Sequence, residues 1–104
     1  PGPWVAHVSG AAPLASLAPH ARRFSLHPLQ TFDRSGRAEQ FDGTWAAVTA
    51  ESEAADAAGV SLAQLLGVRP FRLNDDARIR YHAGAAIASN YLVTLFDSAS
   101  ALLR

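Results

Sequence analysis

The chain has 104 residues, 49% of them hydrophobic and 17% charged, and its nine basic residues balance nine acidic ones. That length fits one domain or less, and zero net charge excludes a surface that holds nucleic acid by neutralising phosphates. Every basic residue is arginine, so lysine chemistry is excluded; cysteine is absent too, which excludes disulfides, thiol catalysis and Cys-ligated metals.

In chain order, Val5 to Val8 reads as a short buried strand that stops at Ser9-Gly10. Residues 11–21 read as a short helix, with Leu14 and Leu17 on one side and Pro19 as its limit. Arg23 to Leu26 is a second strand ended by His27-Pro28, and residues 29–43 are mostly loop. Trp45 to Thr49 is a third apolar run. Residues 52–66 carry a helical pattern through Ala54, Ala55, Ala58, Leu62, Leu65 and Leu66, interrupted at Gly59 and capped by Gly67. Val68 to Leu73 is a fourth strand, with Pro70 arguing against a central position. Asn74-Asp75-Asp76 then supplies an N-cap and first-turn negative charge for one helix running to about Leu103.

Strands alternating with helices at these lengths predict an α/β sheet. The last helix is apolar around much of its circumference from Tyr91 to Leu103, so it calls for partners on several sides. A second copy of the chain or further helices of the same polypeptide would supply them. The first residues lack the basic and apolar regions of a signal peptide. No run of 18 apolar residues occurs, so no membrane span is expected. Four scattered histidines give no recognised metal spacing.

Two segments carry candidate chemistry. Ser25 to Phe32 (SLHPLQTF) lies at a strand end, where ligands of α/β sheets gather; His27 is either a cleft residue or simply part of a turn. In Tyr81 to Tyr91 (YHAGAAIASNY), His82 and Ser89 are seven residues apart and share a helix face, with Asn90 about 80° around the axis. That face either holds a small polar substrate, with His82 as proton donor and Asn90 as anchor, or packs through its small residues. No G-x-G-x-x-G or Walker A loop occurs in the sequence.

With these segments and Val5 to Ala11 (VAHVSGA) in this order, the chain resembles NAD(P)-type Rossmann oxidoreductases that carry a DUF2520 C-terminal domain. These stand near the 6-phosphogluconate dehydrogenase, pyrroline-carboxylate reductase and ketopantoate reductase-like proteins. The resemblance covers about residues 4–103. It implies a cytoplasmic, dimeric enzyme using NADP or NAD on a small carbonyl or hydroxy-acid substrate, with no nucleic acid or membrane as partner. Residues 1–74 would be the back part of a Rossmann-like sheet with flanking helices, and residues 75–104 the first long helix of an α-helical dimerisation domain. Ser9 and Gly10 would lie near the cofactor; His27, Gln30 and Ser89 would contact substrate; His82 and Asn90 would be catalytic. His82 stands in by analogy for a lysine that this chain lacks.

The chain is thus expected to be an internal piece of such an enzyme, inactive and without cofactor by itself. A non-catalytic module that pairs through residues 76–104, or a piece with no separate function, is the alternative.

Overall fold

The computed structural model describes residues 2–29 and 36–104. One four-stranded sheet organises them: β1 (Val5–His7), β2 (Arg23–Pro28), β3 (Trp45–Ala50) and β4 (Arg69–Arg72), side by side in that order. Two long helices accompany it, α1 (Glu53–Leu66) and α2 (Arg78–Leu103). The expected α/β architecture is present.

The sheet is mixed. β1 and β2 are parallel, β2 and β3 antiparallel, and β3 and β4 parallel. Parallel pairing needs a crossover of a dozen or so residues. Between β1 and β2 this is not the expected helix over 11–21 but a single 3-10 turn, Leu14–Leu17. Pro13 and Pro19 flank that turn and confine it. α1 makes the crossover from β3 to β4.

α1 begins at Ser52, whose hydroxyl accepts the Ala55 N–H at 3.1 Å. It ends at Gly67, which takes the left-handed conformation at φ 78°. The helix runs unbroken through Gly59. A Cβ there would stand 2.7 Å from Val48 Cγ1 and 3.3 Å from Phe24 Cδ2. This glycine therefore serves close packing of helix on sheet rather than dividing the helix. Phe24, Leu26, Ala46, Val48, Ala55, Ala63 and Val68 form the core between α1 and the sheet, while Leu65 points outward at 85% exposure.

Side chains alternate across a sheet, and the opposite face differs in chemistry. The register places His7, Ser25 and Thr49 in one row across β1, β2 and β3. His27, Ala47 and Phe71 form the next row across β2, β3 and β4. The start of α2 lies over this second face.

A 3-10 turn, Asp75–Ala77, leads into α2. The Asn74 side chain makes no capping bond there, contrary to the sequence expectation. Instead, Asp75 Oδ1 accepts the Leu14 N–H at 3.0 Å, tying the start of α2 to the β1–β2 connection. Beyond its first turns α2 leaves the sheet, and Ile87, Tyr91, Leu92, Leu95, Phe96, Leu102 and Leu103 are exposed, Phe96 at 72% and Leu103 at 88%. By length and composition the helical segment Asp75–Leu103 is also apolar enough to cross a membrane, and its most apolar 18-residue window is not buried in the fold.

Candidate active site

β1 and β2 run parallel, so Ser9-Gly10 after β1 and His27-Pro28 at the end of β2 emerge at the same edge of the sheet. The Ser9 turn is locally fixed. Its hydroxyl oxygen accepts the N–H groups of Ala11 at 3.2 Å and Ala12 at 3.0 Å, and its own N–H donates to His7 Nδ1 at 3.1 Å. The Ser9 carbonyl accepts from Arg78 Nη2.

Arg78 is the largest fully buried side chain, 1% exposed. Its Nη1 donates to Thr49 Oγ1 at 2.7 Å, and the Thr49 hydroxyl in turn donates to the Leu73 carbonyl at 2.8 Å. Asp75 Oδ1 lies 4.0 Å from Arg78 Nε. One guanidinium thus connects α2, β3 and the turn after β1, with a carboxylate partly balancing its charge.

One turn further along α2 stand Tyr81 and His82. His27 Nδ1 and Tyr81 Oη are 2.8 Å apart, with the rings edge to face at 5.6 Å between centroids. Phe71 packs on Tyr81 from β4 at 6.0 Å. His82 approaches from the other side of the turn. A Cβ on Gly10 would lie 2.7 Å from His82 Nδ1 and 3.0 Å from both Cε1 and Nε2 of His27. Gly10 is buried, and its missing side chain is what lets two imidazoles from different elements converge.

These imidazoles open onto a cleft of about 490 Å3 lined by His27, Pro28, Leu29, His82, Ala85, Ala86, Ala88 and Ser89. Among the described residues no acidic side chain lines it. Across β2 a second, mostly apolar recess of about 380 Å3 is lined by Val8, Leu26, His27, Pro28, Phe41, Leu62 and Leu66. His27 and Pro28 belong to both. Desolvation first, then Arg78, His82 and His7, hold the His27 pKa below its ordinary value. Desolvation and Arg78 do the same to His7. Burial pushes Tyr81 upward.

Of the residues singled out in the sequence, the fold brings together Ser9, Gly10, His27, His82 and Ser89. Asn90 is exposed and is not among the cleft-lining residues; its carbonyl accepts the Thr94 hydroxyl at 3.0 Å. Gln30 lies outside the described residues. Arg78 and Tyr81 carry much of the geometry without having been assigned a role from the sequence. The usable signal was their spacing: Arg78, Tyr81, His82, Ala85 and Ser89 follow the three- and four-residue steps of one helix face.

The sheet, its flanking helix and the cleft at the strand ends define a Rossmann-like α/β fold. The solved structure of "putative NADP oxidoreductase BF3122" from Bacteroides fragilis is similar, with a TM-score of 0.69 and 22% identity over 94% of this chain and 38% of that one. Protein TM1727 from Thermotoga maritima is similar too, with a TM-score of 0.66 and 22% identity over 88% of this chain and 36% of that one. The chain spans well under half the length of either. No curated protein sequence matches it. Residues 44–104 match the domain of unknown function DUF2520, and the chain belongs to that family.

Proposed function

We propose that the chain supplies the substrate-facing wall of an NADP-dependent oxidoreductase that acts on a small carbonyl or hydroxy-acid substrate. The observation that carries this is the convergence of His27 and His82 on Gly10 at the mouth of the cleft. The similarity to a structure named as an NADP oxidoreductase supports the cofactor class.

The residues present fit such a cofactor at its nicotinamide end. The mostly apolar recess of Val8, Leu26, His27, Pro28, Leu62 and Leu66 offers a space for an apolar ring at the strand ends. The sequence holds no glycine-rich pyrophosphate loop, so that part of a dinucleotide would be held by other polypeptide. When bound, the nicotinamide supplies or accepts hydride. The substrate oxygen then gains or loses a proton, and His82 is placed to hold it. Ser89, one face-repeat further along α2, orients the substrate by hydrogen bonding. Asn90 would engage only a ligand reaching past the cleft-lining residues. In this reading residues 1–74 belong to the cofactor domain, and α2 opens a helical domain.

The test is NADPH consumption by the full-length protein against small oxo acids and aldehydes. His82→Ala is expected to lower kcat by about 100-fold with NADPH binding retained. Unchanged turnover would remove His82 from the mechanism, and absence of NADPH binding would overturn the class.

A second reading rests on the exposed apolar side of α2: a module that pairs with a second copy through residues 76–104, without catalysis. Light scattering on the chain, together with NADPH titration, separates the two. A dimer without NADPH binding in the full-length protein favours the module.

A further inference from the structure

His27 is the residue shared by the cleft, the apolar recess and the Gly10 contact. Its neighbours constrain it from α2 and from the turn after β1. Among the described residues, His27 Nδ1 is the one hydrogen-bond partner of the Tyr81 hydroxyl, at 2.8 Å. A phenol has one proton to give, and Nδ1 is the acceptor in reach. A neutral imidazole that accepts at Nδ1 carries its proton on Nε2. That nitrogen lies against Gly10, 3.0 Å from the place a Cβ would take, and His82 Nδ1 lies 2.7 Å from the same place.

We infer that Tyr81 is a positioning residue that fixes His27 as the neutral Nε2–H tautomer, and that this N–H is the donor that binds a substrate oxygen in the cleft. The second half of the inference rests on the oxidoreductase reading above; the first does not.

The groups around His27 agree. From α2 it faces Arg78, Tyr81 and His82, and from β1 it faces His7. β3 and β4 contribute the uncharged Ala47 and Phe71 to its row. Asp75, beside Arg78, is committed to the Leu14 N–H and the Arg78 side chain. Burial and the Arg78 charge both oppose a second proton on His27. Tyr81 is buried enough to keep its own. A fixed neutral donor can polarise a carbonyl or steady a developing alkoxide without surrendering its proton. The two histidines then divide the work: His27 holds the oxygen, and His82 exchanges the proton.

Long-range proton–nitrogen NMR of the nitrogen-15-labelled chain reads this directly, without substrate or cofactor. The expected spectrum has a pyridine-like Nδ1 and a pyrrole-like Nε2 for His27 at neutral pH. Tyr81→Phe is expected to lose the single tautomer and to shift the His27 titration upward in pH. An Nδ1–H tautomer in the wild type, or an unchanged His27 spectrum in Tyr81→Phe, would overturn the positioning role. Should the variant fail to fold, the wild-type spectrum still decides the tautomer.

The oxygen-binding half is read in the full-length protein. There Tyr81→Phe should lower kcat roughly tenfold and move the acid limb of the pH profile, with NADPH binding intact. An unchanged kcat and profile would overturn it. A wild type that turns over no carbonyl substrate would overturn the oxidoreductase reading and this half with it, while the tautomer result stands separately.

Discussion

Arg78 Nη1 donates to Thr49 Oγ1 at 2.7 Å, so the first turn of α2 is fastened to the C-terminal end of β3 through a guanidinium that is 1% exposed. The same side chain holds the Ser9 carbonyl. Removing it leaves one buried and one partly buried acceptor to find new partners. Arg78→Ala is expected to cost about 3 kcal/mol, the range for buried charged hydrogen bonds and the space they leave. Arg78→Lys should recover little of this, because a compact ammonium cannot reproduce the planar fork that spans two elements. Urea unfolding of the two variants checks both statements.

Gly10 allows a different experiment. A methyl there would meet two imidazoles at 3.0 Å or less. The exposed His82 can swing away, whereas His27 is held by Tyr81. Gly10→Ala should therefore change stability by no more than about 1 kcal/mol while lowering turnover in the full-length protein by about tenfold or more. A stability measurement beside a kinetic one separates the two effects.

Gly59 shows how far the sequence could be read. In an open helix Gly→Ala gains about 1 kcal/mol. Here the new Cβ would stand 2.7 Å from Val48 Cγ1, in a buried contact. Overpacking of that kind costs about 1–3 kcal/mol, so Gly59→Ala is expected to be neutral to destabilising. A clear rise in the unfolding midpoint would show that α1 can back away from β3.

The strands and both long helices were legible because each is an apolar run or a helical period bounded by Gly, Pro or a cap: Gly67 ends α1 as the pattern predicts, while Ser52, read as part of the helix, is its N-cap. Gly59 was misread because propensity describes a helix in isolation and cannot see Val48 across the interface. The helix expected over 11–21 shrank to one 3-10 turn because two prolines enclose it. At the site, His27, His82 and Gly10 were found through their motifs. Arg78 and Tyr81 were not, because their partners lie 29 and 54 residues away in sequence, on β3 and β2. The antiparallel pairing of β2 with β3 was equally hidden, since strand direction depends on where the connection returns.

Acid should weaken the fold before it affects the surface pairs. His7 and His27 both have pKa values lowered in the folded state from an ordinary value near 6.5. The unfolded chain therefore takes up protons first as the pH falls, and protonation pulls the equilibrium toward it. Stability is expected to be full above about pH 6.5 and to decline as the pH falls below it, toward the lowered folded-state values. Denaturation midpoints between pH 8 and pH 5, measured for the wild type and for His27→Gln, should show the slope and its reduction in the variant.

The sheet keeps two kinds of chemistry apart. One face is aliphatic and aromatic and is sealed by α1; the other presents His7, Ser25, Thr49 and His27 to α2. Alternation along β2 and β3 means that neighbouring residues in sequence serve opposite faces. On the second face Ser25, Ala47 and Thr49 are fully buried and Thr49 anchors Arg78, so substitutions that reshape the cleft without loosening the domain are confined to the strand end at His27 and to the cleft side of α2. Such a scaffold can alter what its cleft accepts over evolutionary time through its strand end and its long helix, while the buried positions of both faces stay fixed.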